Sequence, residues 1–234
     1  MLRHLKEAFG QIIGGRVCEI CGRSLPDHLV AFCPGCLSQL PRTNLHFGLP
    51  NMVSDIASNA VAPTLVASAW TFYNPTGAAA GIIQRGKYGN RPLYMRTLGR
   101  VYASELMADI PGLMNRLDVI LPVPMHAGKE LHRGYNQAEE FAKGLSAVTG
   151  IPVGDNLRAK RRKDTQTHRN RDERRRNVEG VFAVDNPEEL EGLNVVVADD
   201  VITTGATMAE AILAIGRSGA RPASISILAI AFRH

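Results

Sequence analysis

Residues 195 to 207 read VVVADDVITTGAT, and this stretch decides the fold. Val195, Val196, Val197 and Ala198 form a short apolar run, the pattern of a strand buried on both faces of a parallel sheet. Asp199 and Asp200 then place two carboxylates where that strand is expected to end. Thr203, Thr204, Gly205, Ala206 and Thr207 make a small, hydroxyl-rich turn, after which Met208, Ala211, Ile212 and Ile215 recur at helical spacing. The order strand, acidic pair, turn, helix predicts an α/β sheet. Ligands of such sheets bind beyond the carboxyl ends of the strands, where this turn lies.

Chemistry follows from the residue types. Gly205 permits a positive φ and a close approach of ligand to backbone. The N–H groups of the turn and of the first helical turn can converge on an anion, helped by the helix dipole. Thr203, Thr204 and Thr207 add hydroxyl donors, so the cradle suits a phosphate. The two aspartates suit a sugar diol, or the water shell of Mg²⁺. A P-loop is excluded because no Gly-Lys-Ser/Thr follows the turn, and a dinucleotide fingerprint lacks its spaced glycines.

Working outward, all four cysteines fall between 18 and 36, as Cys18-x2-Cys21-x11-Cys33-x2-Cys36. Two such knuckles supply four soft ligands for a tetrahedral, structural Zn²⁺ with no open coordination position. Gly22, Pro34 and Gly35 suit the tight turns that knuckles need. Disulfides are the alternative, disfavoured in the reducing cytosol. Residues 41 to 66 read as a linker or poorly regular connection. The division expected is a zinc-binding module with an N-terminal helix over 1–45, a linker over 46–66 and the larger domain over 67–234.

Within that domain, Ala67 to Tyr73 reads as a strand with Trp70 in the core. Thr76 can cap a helix carrying Ile82 and Ile83, and Leu93 to Leu106 reads as another helix. Asp118 to Pro124 (DVILPVP) is a second buried strand closed by prolines. Its following loop carries Lys129, His132, Arg133 and Gly134 before a helix with Asn136 and Glu139 at its start. Strand end, basic loop and helix start again make an anion site, here for pyrophosphate, held by Lys129, Arg133 and backbone N–H groups. His126 and His132 read as solvated loop residues.

Arg158 to Asn177 holds ten of the 27 basic residues against three acids, with nothing apolar after Ala159. Such a stretch is expected to be an exposed loop or a polar helix. It reads as a solvated charge run, as a flap that closes over a polyphosphate, or as a nucleic-acid contact, weak and to single-stranded DNA. Gly180 to Val184 resumes strand character, Gly219 ends the last helix, and Ser224 to Phe232 (SISILAIAF) reads as the closing strand.

At 234 residues and 45% apolar composition, the chain can bury one sizeable core plus a small module. A formal net charge of +5 permits nucleic-acid contact without demanding it. No apolar run approaches the roughly eighteen residues of a membrane span. Residues 1 to 15 lack a signal peptide's apolar core. Leu2, Leu5, Phe9 and Ile12 instead mark one face of a short helix expected to dock on the protein itself. A cytoplasmic protein is the expectation.

The stretch VVVADDVITTGAT closely resembles the phosphoribosyl pyrophosphate (PRPP) signature of type I phosphoribosyltransferases. The resemblance implies that Asp199 and Asp200 hold ribose hydroxyls and that Thr203, Thr204, Gly205, Ala206 and Thr207 bind the 5′-phosphate, with Mg²⁺ accompanying PRPP. Two cysteine knuckles, DVILPVP, RGYNQ, Thr165-Gln166 with Arg174 and Asn177, and the PRPP motif are together similar in order to the ComF competence family. That family joins an N-terminal zinc module to a phosphoribosyltransferase domain and is implicated in uptake of transforming DNA. The likeness marks Arg162, Gln166, Arg174 and Asn177 as flap residues, with competence-machinery proteins as expected partners. Arg169 departs from the family, whose members often carry Leu there. Two function classes follow: transfer of phosphoribosyl to an acceptor with release of pyrophosphate, or binding of PRPP or single-stranded DNA without catalysis.

Overall fold

The computed structural model describes residues 16–27, 29–88, 91–125, 134–160 and 180–233. Its centre is a four-stranded parallel sheet. The strands are β1 (Ala67–Phe72), β2 (Val119–Pro122), β5 (Asn194–Ile202) and β6 (Ser224–Phe232), in the spatial order β1-β6-β5-β2. Every residue of β6 is buried, and Val195 to Ala198 are fully buried beside it. Each strand is covered on both faces, so an unbroken apolar run is what the sequence must supply. The remaining strands, β3 (Leu157–Ala159) and β4 (Phe182–Val184), form a separate antiparallel pair.

The helices are α1 (Pro34–Leu37), α2 (Ala78–Tyr88), α3 (Pro92–Asp109), α4 (Gln137–Thr149) and α5 (Ala206–Arg217). Helices α2, α3 and α4 pack on one face through Ile83, Leu98, Tyr102, Phe141 and Leu145, against Trp70, Val196, Ala198 and Leu228. Helix α5 packs on the other through Met208, Ala211, Ile212 and Ile215, against Val195, Val197 and Ile227. Helices α3 and α4 cross at two glycines. A Cβ on Gly99 would stand 2.3 Å from Phe141 O, and one on Gly144 would stand 2.2 Å from Arg96 O. Beside this crossing the buried Glu140 pairs with Arg96 at 2.7 Å and Lys143 at 2.9 Å.

Both sheet edges are closed. Residues 41–43 run antiparallel along β1, with Phe72 N donating to Pro41 O at 2.9 Å and Thr43 N to Trp70 O at 3.2 Å. Residues 152–154 extend the opposite edge, where Gly154 N donates to Ile120 O at 2.9 Å. Residues 45–66 carry two short 3₁₀ turns, Leu45–Phe47 and Ser54–Ala57, and place Val53 and Ala57 in the core beneath α5.

Two expectations are corrected. Strand β5 does not stop before the acidic pair but continues to Ile202, with Asp199 opposite Ala229 and Ile202 opposite Phe232. Ladder bonds are made by the main chain, so the long apolar β6 carries its neighbour past the end of the valine run. The basic stretch does not begin as loop or helix: Arg158 lies in β3 opposite Ala183, and its guanidinium pairs with Asp185 at 2.7 Å. Burial of Leu157 and Phe182 on the shared face of this pair holds it there.

Candidate functional site

Topology selects one edge of the sheet. After β5 the chain passes through α5 to β6 on one side; after β2 it passes through α4 to residues 152–154 on the other. The crossovers diverge between β5 and β2, and at such a switch point the loops open a crevice. Residues 203–205 after β5 lie there, as do the described residues that leave β2 at Val123 and enter α4 at Asn136.

The first loop is built on Gly205, which has φ 74 and is buried, while Thr203 and Thr204 are exposed. Ala206 N faces Thr204 Oγ1 at 3.4 Å, and Ala209 N donates to Gly205 O at 2.8 Å as α5 begins. Thr207 is exposed on the first turn of α5, and Ala206 is half-buried. Asp199 and Asp200, both half-buried, lie in the second half of β5, and the Asp199 carboxylate accepts Asp200 N–H at 2.7 Å. Two carboxylates, three hydroxyls and a helix N-terminus therefore share the end of one strand. An anion suits the helix start and a diol or hard cation suits the carboxylates.

On the second loop, Gly134 has φ 81 and leads into Tyr135, whose hydroxyl donates to Gly86 O. Asn136 fixes the helix start: its Oδ1 accepts Ala138 N–H at 3.1 Å, and its Nδ2 donates to Val123 O at 3.1 Å. Glu139 pairs with Lys143 at 2.7 Å on the same helix. Lys129, Arg133, His126 and His132 lie outside the described residues, as do Arg162, Gln166, Arg174, Asn177 and residues 1–15. The described ends of the basic stretch, Lys160 and Gly180, sit at the open end of the β3–β4 pair, with Lys160 N donating to Val181 O at 2.7 Å.

The four cysteines come together. Their Sγ atoms all lie within 4.8 Å of one another, and Cys21 and Cys33 are 3.8 Å apart. That spacing is far beyond a disulfide's roughly 2.05 Å. It matches the edge of a tetrahedron with ligand bonds of about 2.3 Å. Gly22 N donates to Cys18 O at 2.7 Å, and Cys33 N donates to Cys18 Sγ at 3.3 Å. Burial opposes the Cys18 thiolate, but backbone hydrogen bonds from Cys21, Cys33 and Ile20 outweigh it and lower its pKa to about 6. Burial, followed by the other three thiols, pushes Cys36 up to about 12. A cation among the sulfurs relieves that conflict by favouring the thiolate at every ligand. No other cluster of potential metal ligands occurs among the described residues.

Polar contacts seat the module on the larger domain. Glu19 pairs with Arg91 at 2.7 Å, and Phe32 packs edge-on against Tyr94. Arg42 pairs with Glu105 at 2.7 Å and lies 4.3 Å above the Trp70 ring, whose Nε1 donates to Glu105 at 2.6 Å. Trp70 is thus core and not ligand contact. Sequence reasoning missed these seams and two residues beside the site, Ile56 and Glu210. Glu210 leaves a trace in the sequence, as a carboxylate within the apolar helix TMAEAILAI.

A parallel sheet with this strand, loop and helix at its switch point, preceded by a four-cysteine module, defines a phosphoribosyltransferase-type domain. Residues 132–234 match the family model described as the phosphoribosyl transferase domain. The chain is 35% identical over 133 residues to competence protein F of Haemophilus influenzae, covering 55% of this chain and 58% of that protein. It is 27% identical over 206 residues to the DNA utilization protein YhgH of Salmonella typhi, covering 87% and 86% of the two chains. To competence protein ComFC of Bacillus subtilis it is 25% identical over 196 residues, covering 84% and 70%. The chain thus carries a phosphoribosyl transferase domain and is similar to proteins named for competence and DNA utilization, with four cysteines clustered near its N-terminus.

Proposed function

We propose that this protein binds PRPP, or a closely related phosphorylated sugar, together with Mg²⁺. In this reading the protein acts in the cytoplasm in the handling of transforming DNA. The observation that carries the ligand assignment is the Gly205 loop at the switch point, with Asp199 and Asp200 on the strand that feeds it. Thr203, Thr204, Thr207 and the N–H groups of Gly205 and Ala206 hold the 5′-phosphate. Asp199 and Asp200 take the ribose hydroxyls and the water shell of the cation, which spreads the charge of the pyrophosphate group when bound. Lys129, Arg133 and Gly134 serve the pyrophosphate. The role in DNA handling is supported by similarity to proteins named for competence and DNA utilization.

The cysteine module holds one structural zinc ion in this reading, with Cys18, Cys21, Cys33 and Cys36 as ligands. The residues fit the ion: four sulfurs at tetrahedral spacing leave no position for substrate. Transfer to an acceptor and sensing without turnover use the same ligand site. Pyrophosphate release from PRPP, measured with a panel of nucleobase and amine acceptors, distinguishes them.

Calorimetry tests the ligand assignment. Wild-type protein is expected to bind PRPP in a Mg²⁺-dependent manner, and Asp199→Asn and Asp200→Asn to bind it more weakly. Thr204→Val removes a hydrogen bond to a charged group, a loss of about 1.5–3 kcal/mol. Absence of PRPP binding by the wild type, or equal binding by every variant, refutes the assignment.

A further inference from the structure

The segment between the cysteine module and β1 grips helix α5 at both ends, each time at a glycine. At the N-terminal end, Ile56 places its Cδ1 and Cγ1 atoms 2.9 Å from the point a Cβ on Gly205 would occupy. At the C-terminal end, Val61 Cγ1 lies 2.7 Å from the corresponding point on Gly216. Between these grips, Val53 and Ala57 are buried in the same cluster as Met208, Ala211 and Ile212. Neither glycine accepts a side chain without moving the Ile56 or Val61 side chain.

The segment is itself held in place by Asn51. Its Oδ1 accepts the N–H groups of Val53 at 2.9 Å and Ser54 at 3.0 Å. Its amide nitrogen faces the carbonyls of Leu45, Gly48 and Ala67 at 2.8–2.9 Å. Ala67 is the first residue of β1, so Ile56 is referenced to the sheet and does not hang from a loose connection. The loop it meets has its glycine buried and its two preceding threonines exposed. Ile56 therefore supports the loop from its buried side.

We propose that Ile56 is a positioning residue for the sugar-phosphate loop. By filling the volume beside Gly205, it fixes the left-handed turn that aims the loop N–H groups at one point. A glycine with open space beside it samples several conformations at small cost. Pressed against a branched side chain, it keeps one. A phosphate cradle depends on several donors converging, so a loose turn lowers affinity without removing any donor. The inference rests on the reading of this loop as a sugar-phosphate site, and its test separates the two.

The experiment compares wild type, Ile56→Ala and the conservative Ile56→Val in the full chain. Ribose 5-phosphate and PRPP probe the loop by calorimetry, and inorganic pyrophosphate probes the opposite side of the crevice. Amide exchange at residues 204–207 in ligand-free protein reports on the loop itself. Ile56→Ala is expected to weaken ribose 5-phosphate and PRPP roughly ten- to a hundredfold. It is also expected to speed exchange at 204–207 and to leave pyrophosphate affinity unchanged, with Ile56→Val close to wild type. Equal losses for all three probes mean a general loss of structure and overturn the proposal, as does unchanged affinity for all three. If wild type binds neither sugar phosphate, the ligand assignment fails and exchange decides the brace: unchanged protection at 204–207 in Ile56→Ala overturns it.

Discussion

Glu210 Oε1 accepts the N–H of Gly180 at 2.6 Å, which ties helix α5 to the point where the chain returns from its basic stretch. The carboxylate is buried and is also held by Arg217, seven positions along the same helix. One helix thus carries the Thr203–Gly205 loop at its start and the anchor of the basic connection one turn later. Glu210→Ala removes the charged acceptor of the Gly180 N–H, the loss of a hydrogen bond worth about 1.5–3 kcal/mol. For a chain of this size that lowers the melting temperature by roughly 2–4 °C per kcal/mol. Glu210→Gln keeps an acceptor for Gly180 and is expected to lose less. Equal melting temperatures for all three proteins in a thermal scan contradict this role.

How much of this was legible in the sequence follows from which interactions each residue uses. Val195 to Ala198 and Ser224 to Phe232 were readable because burial on two faces leaves an unbroken apolar run. The cysteine cluster was readable because CxxC spacing is itself the geometry of a knuckle. The end of β5 was not, since main-chain pairing with β6 extends a strand without asking for apolar side chains. Strand β3 was not, since three residues containing an arginine carry no period. Ile56, Asn51 and Glu210 act across contacts between segments far apart in the chain, and a single sequence holds no record of such pairs. The acidic pair and the Thr-Thr-Gly turn are neighbours in the sequence, whereas the edge of the sheet they share required the strand order.

The crossing of α3 and α4 gives a prediction with an internal control. A Cβ at Gly99 or Gly144 meets backbone atoms, which cannot rotate away as a side chain can. Gly99→Ala and Gly144→Ala are each expected to destabilise the fold by about 1–3 kcal/mol through overpacking. Gly81 in α2 has nothing within 4 Å of its would-be Cβ. Gly81→Ala is expected to stabilise by about 0.5–1 kcal/mol, the helix preference for alanine. Urea midpoints with unchanged slope measure both signs. A Gly144→Ala midpoint at or above wild type means that the two helices separate at little cost.

The metal assignment predicts one zinc ion per chain. Structural zinc contributes roughly 10–16 kcal/mol of apparent binding energy to a small module. Cys33→Ser is expected to abolish stoichiometric zinc and unfold residues near 17–40. The β-sheet domain is expected to keep its melting transition, lowered by loss of the Glu19–Arg91 and Arg42–Glu105 contacts. Elemental analysis of purified wild type that finds no stoichiometric metal refutes the assignment.

The last prediction concerns the basic residues between Lys160 and Gly180, where a flap over PRPP competes with a contact for single-stranded DNA. Guanidinium groups hold phosphate in either case, so composition alone does not separate the two. The number of phosphates neutralised at once does. A flap meets one compact polyphosphate, whereas a DNA contact engages successive phosphates and releases their counterions. With about five contacts and a slope near −0.7 per contact, DNA affinity falls roughly 100-fold between 50 and 200 mM salt. The stretch from Arg158 to Asn177 contains no Phe, Tyr or Trp, so it lacks the stacking platforms of strong single-strand binders. Binding is therefore expected to be weak, sequence-independent and salt-sensitive. Replacing Arg174, Arg175 and Arg176 by Gln is expected to flatten its salt slope in fluorescence anisotropy titrations. If that triple variant keeps both DNA affinity and slope while PRPP binding collapses, the stretch serves the sugar phosphate and the DNA reading of it is wrong.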